Sequence, residues 1–248
     1  MPLYCAVLGN NAAALKLLLT NNADANILNS SGPLHISTRK GFSNISQLLV
    51  DSGCKVNVKN NIKETPLYLA VCGKNVADVK VLLQNEADAN AQDKFGNTPL
   101  YVSALKGFSD ISQLLIDSGC QVNLANISGE TPLHSAVCAM NIAVVKHLLT
   151  NNADANIQDT SGNTPLHIST HERFSNISKL LIDTGCKINV RNIMGETPLH
   201  SVVRNGNAAV VGLLLRNTVD STIQDRWGKT ALYNIPQLLI DSGCNKSL

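Results

Sequence analysis

The sequence is short of aromatic residues and of charge. Phe, Trp and Tyr make up 4% of its 248 residues, with a single tryptophan, and Asp, Glu, Lys and Arg make up 15%. An ordinary soluble chain carries roughly 25% charged residues. Disorder requires little hydrophobicity and much net charge, whereas here 44% of residues are apolar and the formal charge is +2, so a core can form. So small a charge gives no general attraction to polyanions, which argues against nucleic acid as a partner. Long apolar runs are missing too. Ala208 to Leu215 is typical of the longest, far below the roughly 18 residues that a membrane span needs. The start, Met1-Pro2-Leu3-Tyr4, has neither the basic segment nor the apolar core of a secretory signal. No membrane partner is expected. Length alone allows one large domain or two ordinary ones.

No C-x-x-C pair suggests zinc or redox chemistry, although there are seven cysteines. Their number is odd, so at least one has no partner within the chain. Cys54, Cys120 and Cys186 stand 66 residues apart, and Cys72 and Cys138 repeat that interval. Residues recurring at a long fixed interval occupy equivalent places in a stacked array, too far apart for a disulfide. They are read as small buried apolar residues, and reduced thiols place the chain in the cytosol or nucleus. Asn-x-Ser sequons at Asn29, Asn44, Asn126 and Asn176 have no other sign of secretion beside them. What the chain has in excess is asparagine, with 29 copies.

A fixed period organises all of this. Pro33, Pro66, Pro99, Pro132, Pro165 and Pro198 are 33 residues apart, each followed by Leu and then His or Tyr. Pro2-Leu3-Tyr4 begins the series two residues out of step, and Ala231-Leu232-Tyr233 continues it. Asn26, Asn57, Asn90, Asn123, Asn156 and Asn189 each follow a proline by 24 residues. Thr65, Thr98, Thr131, Thr164 and Thr197 precede prolines as N-caps whose hydroxyls can accept a backbone N–H, and proline suits the first helical position. A short helix, a turn and a second helix follow. Val144, Val145, Leu148 and Leu149 show the one-sided apolar face of that second helix. Asn/Gly-rich loops close each unit. Two helices of about ten residues cannot form a core alone, so each pair must be buried against its neighbours in a solenoid.

The Thr-Pro-Leu-His starts, the period, the Leu-Leu pairs and the Ala-Asp-Ala-Asn endings at 23–26, 87–90 and 153–156 resemble ankyrin repeats over essentially the whole chain. The resemblance implies an all-α solenoid of helix-turn-helix units joined by β-hairpin-like loops. It would form one domain, 1–248, with units starting near Pro2, Pro33, Pro66, Pro99, Pro132, Pro165, Pro198 and Ala231. Units also alternate in type. Those at Pro33, Pro99 and Pro165 carry Phe42, Phe108 and Phe174, so large residues can meet small ones across each interface. Departures from the pattern are expected to be local. Gly32 replaces a threonine cap after a loop two residues short, and Lys63 stands where a left-handed glycine is expected. The last unit skips most of a first helix, with Pro236 as a helix start. The chain reads as a piece of a longer array.

The ankyrin pattern leaves loop tips and the concave side of the first helices free to vary. The tips read Ile62, Phe95, Ser128, Ser161, Met194 and Trp227, preceded by Lys94, Ile193 and Arg226 among others. Exposed aromatic or Met side chains beside Lys or Arg are typical of binding hot spots. Arg39, Lys40, Lys106 and Arg204 would make a mildly basic groove on the first helices. Asn26, Asn90 and Asn156 sit in the Leu-x5-Asp-x-Asn setting that asparaginyl hydroxylases modify in ankyrin domains. His167 and His171 are four apart, a zinc-chelating spacing, but Ile168 stands where a metalloprotease needs Glu, and no third ligand is evident. No phosphate loop and no nucleophile–base set stands out from the repeat residues. The expectation is a non-enzymatic monomeric scaffold without metal, cofactor or small-molecule substrate, binding another protein through tips and concave face. The alternative is the regulatory array of a larger enzyme, channel or ubiquitin-ligase receptor.

Overall fold

Proline sets where each period begins to be helical. Pro33, Pro66, Pro99, Pro132, Pro165 and Pro198 each occupy the first position of a helix, where a fixed φ helps and the missing N–H costs nothing. The computed structural model describes residues 2–26 and 31–234, divided between two units, Met1–Ile127 and Ser128–Leu248. In the first unit α1 (Pro2–Leu8) pairs with α2 (Ala12–Thr20), α3 (Pro33–Lys40) with α4 (Ser43–Asp51), α5 (Pro66–Cys72) with α6 (Val76–Gln84), and α7 (Pro99–Leu105) with α8 (Ser109–Asp117). In the second, α9 (Pro132–Cys138) pairs with α10 (Ile142–Thr150), α11 (Pro165–His171) with α12 (Ser175–Asp183), and α13 (Pro198–Arg204) with α14 (Ala208–Arg216). A single 3-10 turn, Ala231–Asn234, follows. The reading of Pro236 as a helix start lies outside the described residues.

Within each unit like packs on like. First helices α1, α3, α5 and α7 stack in order, as do second helices α2, α4, α6 and α8; in the second unit α9, α11 and α13 stack, as do α10, α12 and α14. The leucine after each proline, Leu34 through Leu199 at the 33-residue interval, is buried. The second helices turn Ile45 and Leu49, Val79 and Leu82, or Ile111 and Leu115 into the same core. The result among the described residues is fourteen helices and no strand, with one isolated antiparallel bridge between Gln224 and Thr230. It is the all-α repeated-pair architecture expected from the sequence. No described helix is long and apolar enough to cross a membrane.

The helix starts come in two versions. Before tyrosine, the threonine hydroxyl caps as expected: Thr65 accepts the Tyr68 N–H and Thr98 the Tyr101 N–H, at 3.2 and 3.1 Å. Before histidine, the imidazole reaches back. Nδ1 of His134, His167 and His200 accepts the N–H of Thr131, Thr164 and Thr197 at 3.1 Å, and the threonine hydroxyls lie 2.8 to 2.9 Å from the same nitrogen. This is the reciprocal arm of a capping box, with histidine doing what Glu or Gln commonly does. Because Nδ1 accepts a backbone N–H, the ring proton sits on Nε2. There it donates to the next loop, at Asn163, Glu196 and Lys229 carbonyls respectively. His35 makes the same pair of bonds, to the Gly32 N–H and the Glu64 carbonyl.

The loops are locked by the same logic. Asp93 Oδ1 accepts the N–H groups of Phe95 and Asn97, and Asn60, Asp159, Asn192 and Asp225 repeat this turn. At the closing position Gly96, Gly129, Gly162, Gly195 and Gly228 have φ between 74 and 78°. Lys63 takes that place once, with φ 62°. A side chain there is strained where glycine is not. Lys63→Gly should therefore raise stability by about 0.5–1 kcal/mol after allowing for the entropy of the unfolded glycine. A urea midpoint that stays put or falls would show that the loop carries no such strain.

Candidate interaction surface

Neighbouring loop tips bond to one another through their backbones. The Lys94 N–H donates to the Ile62 carbonyl and the Ile127 N–H to that of Phe95 in the first unit. In the second, Thr160, Ile193 and Arg226 donate to Ser128, Ser161 and Met194. Each tip therefore holds its side chains at a fixed interval. Phe95 is 50% exposed and Trp227 59% exposed. Each has a cation over its own ring, Lys94 Nζ at 4.7 Å and the Arg226 guanidinium at 5.3 Å, an attraction that orients both partners. Ile62 is exposed as well.

Other residues expected on this surface are tied up. Met194 is half-buried, with its Sδ 3.2 Å from Arg226 Nη1, so it props the guanidinium beside Trp227 and presents little of itself. Arg204 is paired with Glu196, which removes it from the set of free cations. Arg39, Lys40 and Lys106 are exposed on first-helix ends of the first unit. Two apolar tip residues belong with them. Ile127 and Ile193 are each 68% exposed. Ile127 stands beside the polar tip residue Ser128, so the tip position alone does not reveal it.

Beside the tips of the second unit runs a polar groove of about 420 Å³ whose lining includes Cys138, His167, His171, Asn192, Glu196 and Arg204. Both ring nitrogens of His167 are spent on Thr164 and Glu196 backbone, and His171 Nδ1 lies 2.9 Å from Glu172 Oε1. The i, i+4 pair thus does not converge on a common ligand. No cluster of metal-ligating side chains occurs among the described residues.

The six described cysteines are free. Burial pushes the thiols of Cys54, Cys120 and Cys186 up to about 11, which keeps them protonated and inert at neutral pH. Cys5 and Cys138 are exposed and Cys72 is only partly covered, so the reading of cysteine as a buried filler holds for one repeat type and fails for the other. The asparagines form the loop ladder. Oδ1 of Asn26, Asn57, Asn90, Asn156 and Asn189 accepts the N–H of Lys55, Asp88, Gln121, Lys187 and Asp220 in the next loop. The backbone N–H of each candidate for hydroxylation, Asn26, Asn90 and Asn156, also donates to Oδ1 of Asp24, Asp88 or Asp154 respectively.

Three overlapping matches to a family model, ankyrin repeats in three copies, cover residues 3–93, 74–159 and 137–225. The chain belongs to the ankyrin-repeat family. A stretch of 44 residues is 43% identical to a putative ankyrin repeat protein of fowlpox virus (strain NVSL), FPV243, covering 18% of this chain and 17% of that relative. Ankyrin repeats are generally protein-interaction modules, and their fold is typically non-catalytic. In this ankyrin chain the helix-start threonines and histidines are engaged in caps and the loop Asp and Asn residues in turns.

Proposed function

We propose that this chain is a non-enzymatic scaffold that binds another protein through its hairpin tips and first-helix ends, as a monomer in the cytosol or nucleus. The observation that carries the reading is the pair of exposed aromatic residues, Phe95 and Trp227, each held under a cation on a tip whose backbone is fixed by its neighbour. A rigid presentation of this kind leaves little side-chain or loop entropy to be lost on association. The free thiols suit a reducing compartment. Asn26, Asn90 and Asn156 remain candidates for hydroxylation in this reading, and intact-mass spectrometry of chain from its native source would detect the added oxygen.

The test is capture of partners by the full chain against Phe95→Ala and Trp227→Ala variants. Truncating an aromatic anchor in an interface costs about 2 kcal/mol or more, roughly thirtyfold in affinity. Neither residue contributes to the core, so each variant should keep its unfolding midpoint, within about 0.5 kcal/mol. Undiminished capture after both substitutions removes the tips from the binding surface.

A further inference from the structure

The first unit separates its charges by element. Of its ten Lys and Arg residues, seven lie on first-helix ends, the turns that follow them, and hairpins. Arg39, Lys40 and Lys106 close first helices, Lys74 follows one, and Lys59, Lys63 and Lys94 stand on hairpins. All seven are exposed. Its acids are distributed the other way. Seven of nine lie on second helices and the loops that close them, Asp51 and Asp117 among them. The two that remain, Glu64 and Asp93, bond inward. Asp93 serves its own turn and the Tyr68 hydroxyl, and Glu64 Oε2 accepts from Asn60.

Contacts bring the helix-end cations into one row, and the Lys94 N–H bond to the Ile62 carbonyl sets the hairpin cations Lys63 and Lys94 on neighbouring tips. Asn75 Nδ2 donates to the Thr38 carbonyl at 2.6 Å, and Gly73 lies against the Arg39 carbonyl. Lys74 Nζ stands 5.3 Å over the ring of Phe108, in the turn after α7. Burial and the Glu64 carboxylate push the Cys72 thiol up to about 11, Lys106 and Arg39 from the helices on either side draw it down, and Asp93 adds to the rise. The ion pairs among the described residues, His171–Glu172, Lys179–Asp183 and Glu196–Arg204, all belong to the second unit. Among the described residues none of the seven cations of the first unit is in an ion pair, and Glu64 and Asp93, the acids that share the neighbourhood of Arg39 and Lys106, are already engaged by Asn60 and Tyr68. Lys63 and Lys74 hold theirs at left-handed φ of 62 and 57°, where other repeats use glycine such as Gly96 or Gly107. Interleaved with the cations are exposed Ile62, Phe95, Leu105 and Ile127.

From this we infer that the first unit's helix-end and hairpin face takes an acidic peptide segment of a partner protein, one whose carboxylates alternate with apolar side chains. The inference rests on the scaffold reading and names its partner's chemistry. Unpaired cations on one face steer and hold a segment of opposite charge, and the apolar tips between them give a peptide somewhere to bury Leu or Phe. A nucleic acid would use the cations but leave Ile62, Leu105 and Ile127 without contacts, and the chain's small net charge provides no long-range pull on a polyanion.

Fluorescence anisotropy of the full chain tests this with a short labelled peptide of alternating Glu and Leu/Phe. The same peptide with Lys for Glu, a Glu/Ser peptide and a short DNA duplex are the controls. The Glu-Leu/Phe peptide should bind best and weaken as salt is raised. Lys74→Glu with Lys106→Glu should weaken it by at least about tenfold, and Lys74→Gln with Lys106→Gln by less. Lys187→Glu, on the second unit, should leave it unchanged. These substitutions are at exposed sites, and an unchanged unfolding midpoint confirms that the fold is intact. Equal binding of the basic peptide, tighter binding of the duplex, or indifference to charge reversal would overturn the inference. The tip reading would fail separately, by Phe95→Ala and Trp227→Ala leaving partner capture intact.

Discussion

Replacing Asp78 by valine should stabilise the protein by about 3 kcal/mol. Asp78 is fully buried on α6, with Oδ2 accepting from the Ser43 hydroxyl at 3.3 Å and Oδ1 without a partner. The equivalent residue 12 positions after each repeat proline is Ile45, Ile111, Val144, Ile177 or Val210, all buried. Asp78 thus places a carboxylate in a hole that the fold fills elsewhere with a branched apolar side chain. Burial holds its pKa above 3.8, with the nearby Ser46 and Ser43 hydroxyls pulling the other way. A carboxyl that keeps its proton to higher pH when folded makes the folded state bind more protons than the unfolded one. Stability then falls as pH rises from 3.8 through the folded value. The valine gain should be smallest in acid and should grow as pH rises from 3.8. Asp78→Asn, which removes charge but not polarity, should recover less. A lower urea midpoint for Asp78→Val at neutral pH would mean that the Ser43 contact outweighs the orphaned oxygen.

Asp78 also shows where the sequence was readable and where it was not. The period, the helix starts at proline and the asparagine ladder are set by contacts that repeat at fixed spacing, so a pattern exposes them. Asp78 breaks the pattern at one site. It becomes visible only when units are aligned position by position and the column of Ile and Val is noticed. His147 is a milder case: its buried Nε2 has no partner, and Leu114 and Leu180 hold its place in neighbouring repeats. The cationic tips were legible as composition, but not which cations are free. Arg204 pairs with Glu196, eight residues upstream across a hairpin-to-helix junction, a spacing that no helical rule predicts. The first unit's separation of charge was equally hidden, because it depends on which element carries each residue rather than on any local motif.

His167→Ala should cost about 3 kcal/mol. The ring satisfies two backbone groups at once, the Thr164 N–H at 3.1 Å and the Glu196 carbonyl at 3.2 Å, and alanine abandons both, one of them on a fully buried threonine. His167→Gln should recover part of the loss, since a glutamine at that position can reach back to the cap N–H but has no fixed route to the next loop. The same geometry makes the stack sensitive to acid. Burial holds the pKa of His35, His134 and His167 below 6.5, against carbonyl bonds from Glu64, Asn163 and Glu196 that raise it. A second proton would have to enter at Nδ1, which already accepts a backbone N–H. The unfolded chain binds protons more readily than the folded one in this window, so stability is complete above 6.5 and is lost as pH falls below it toward the folded values. This limb runs in the opposite direction to that of Asp78. In an Asp78→Val background the urea midpoint should still drop as pH is lowered through 6.5, and the drop should shrink when His167 is replaced by glutamine. A midpoint that holds steady across that range, or a slope that His167→Gln leaves untouched, would show that these imidazoles accept their second proton without breaking the caps.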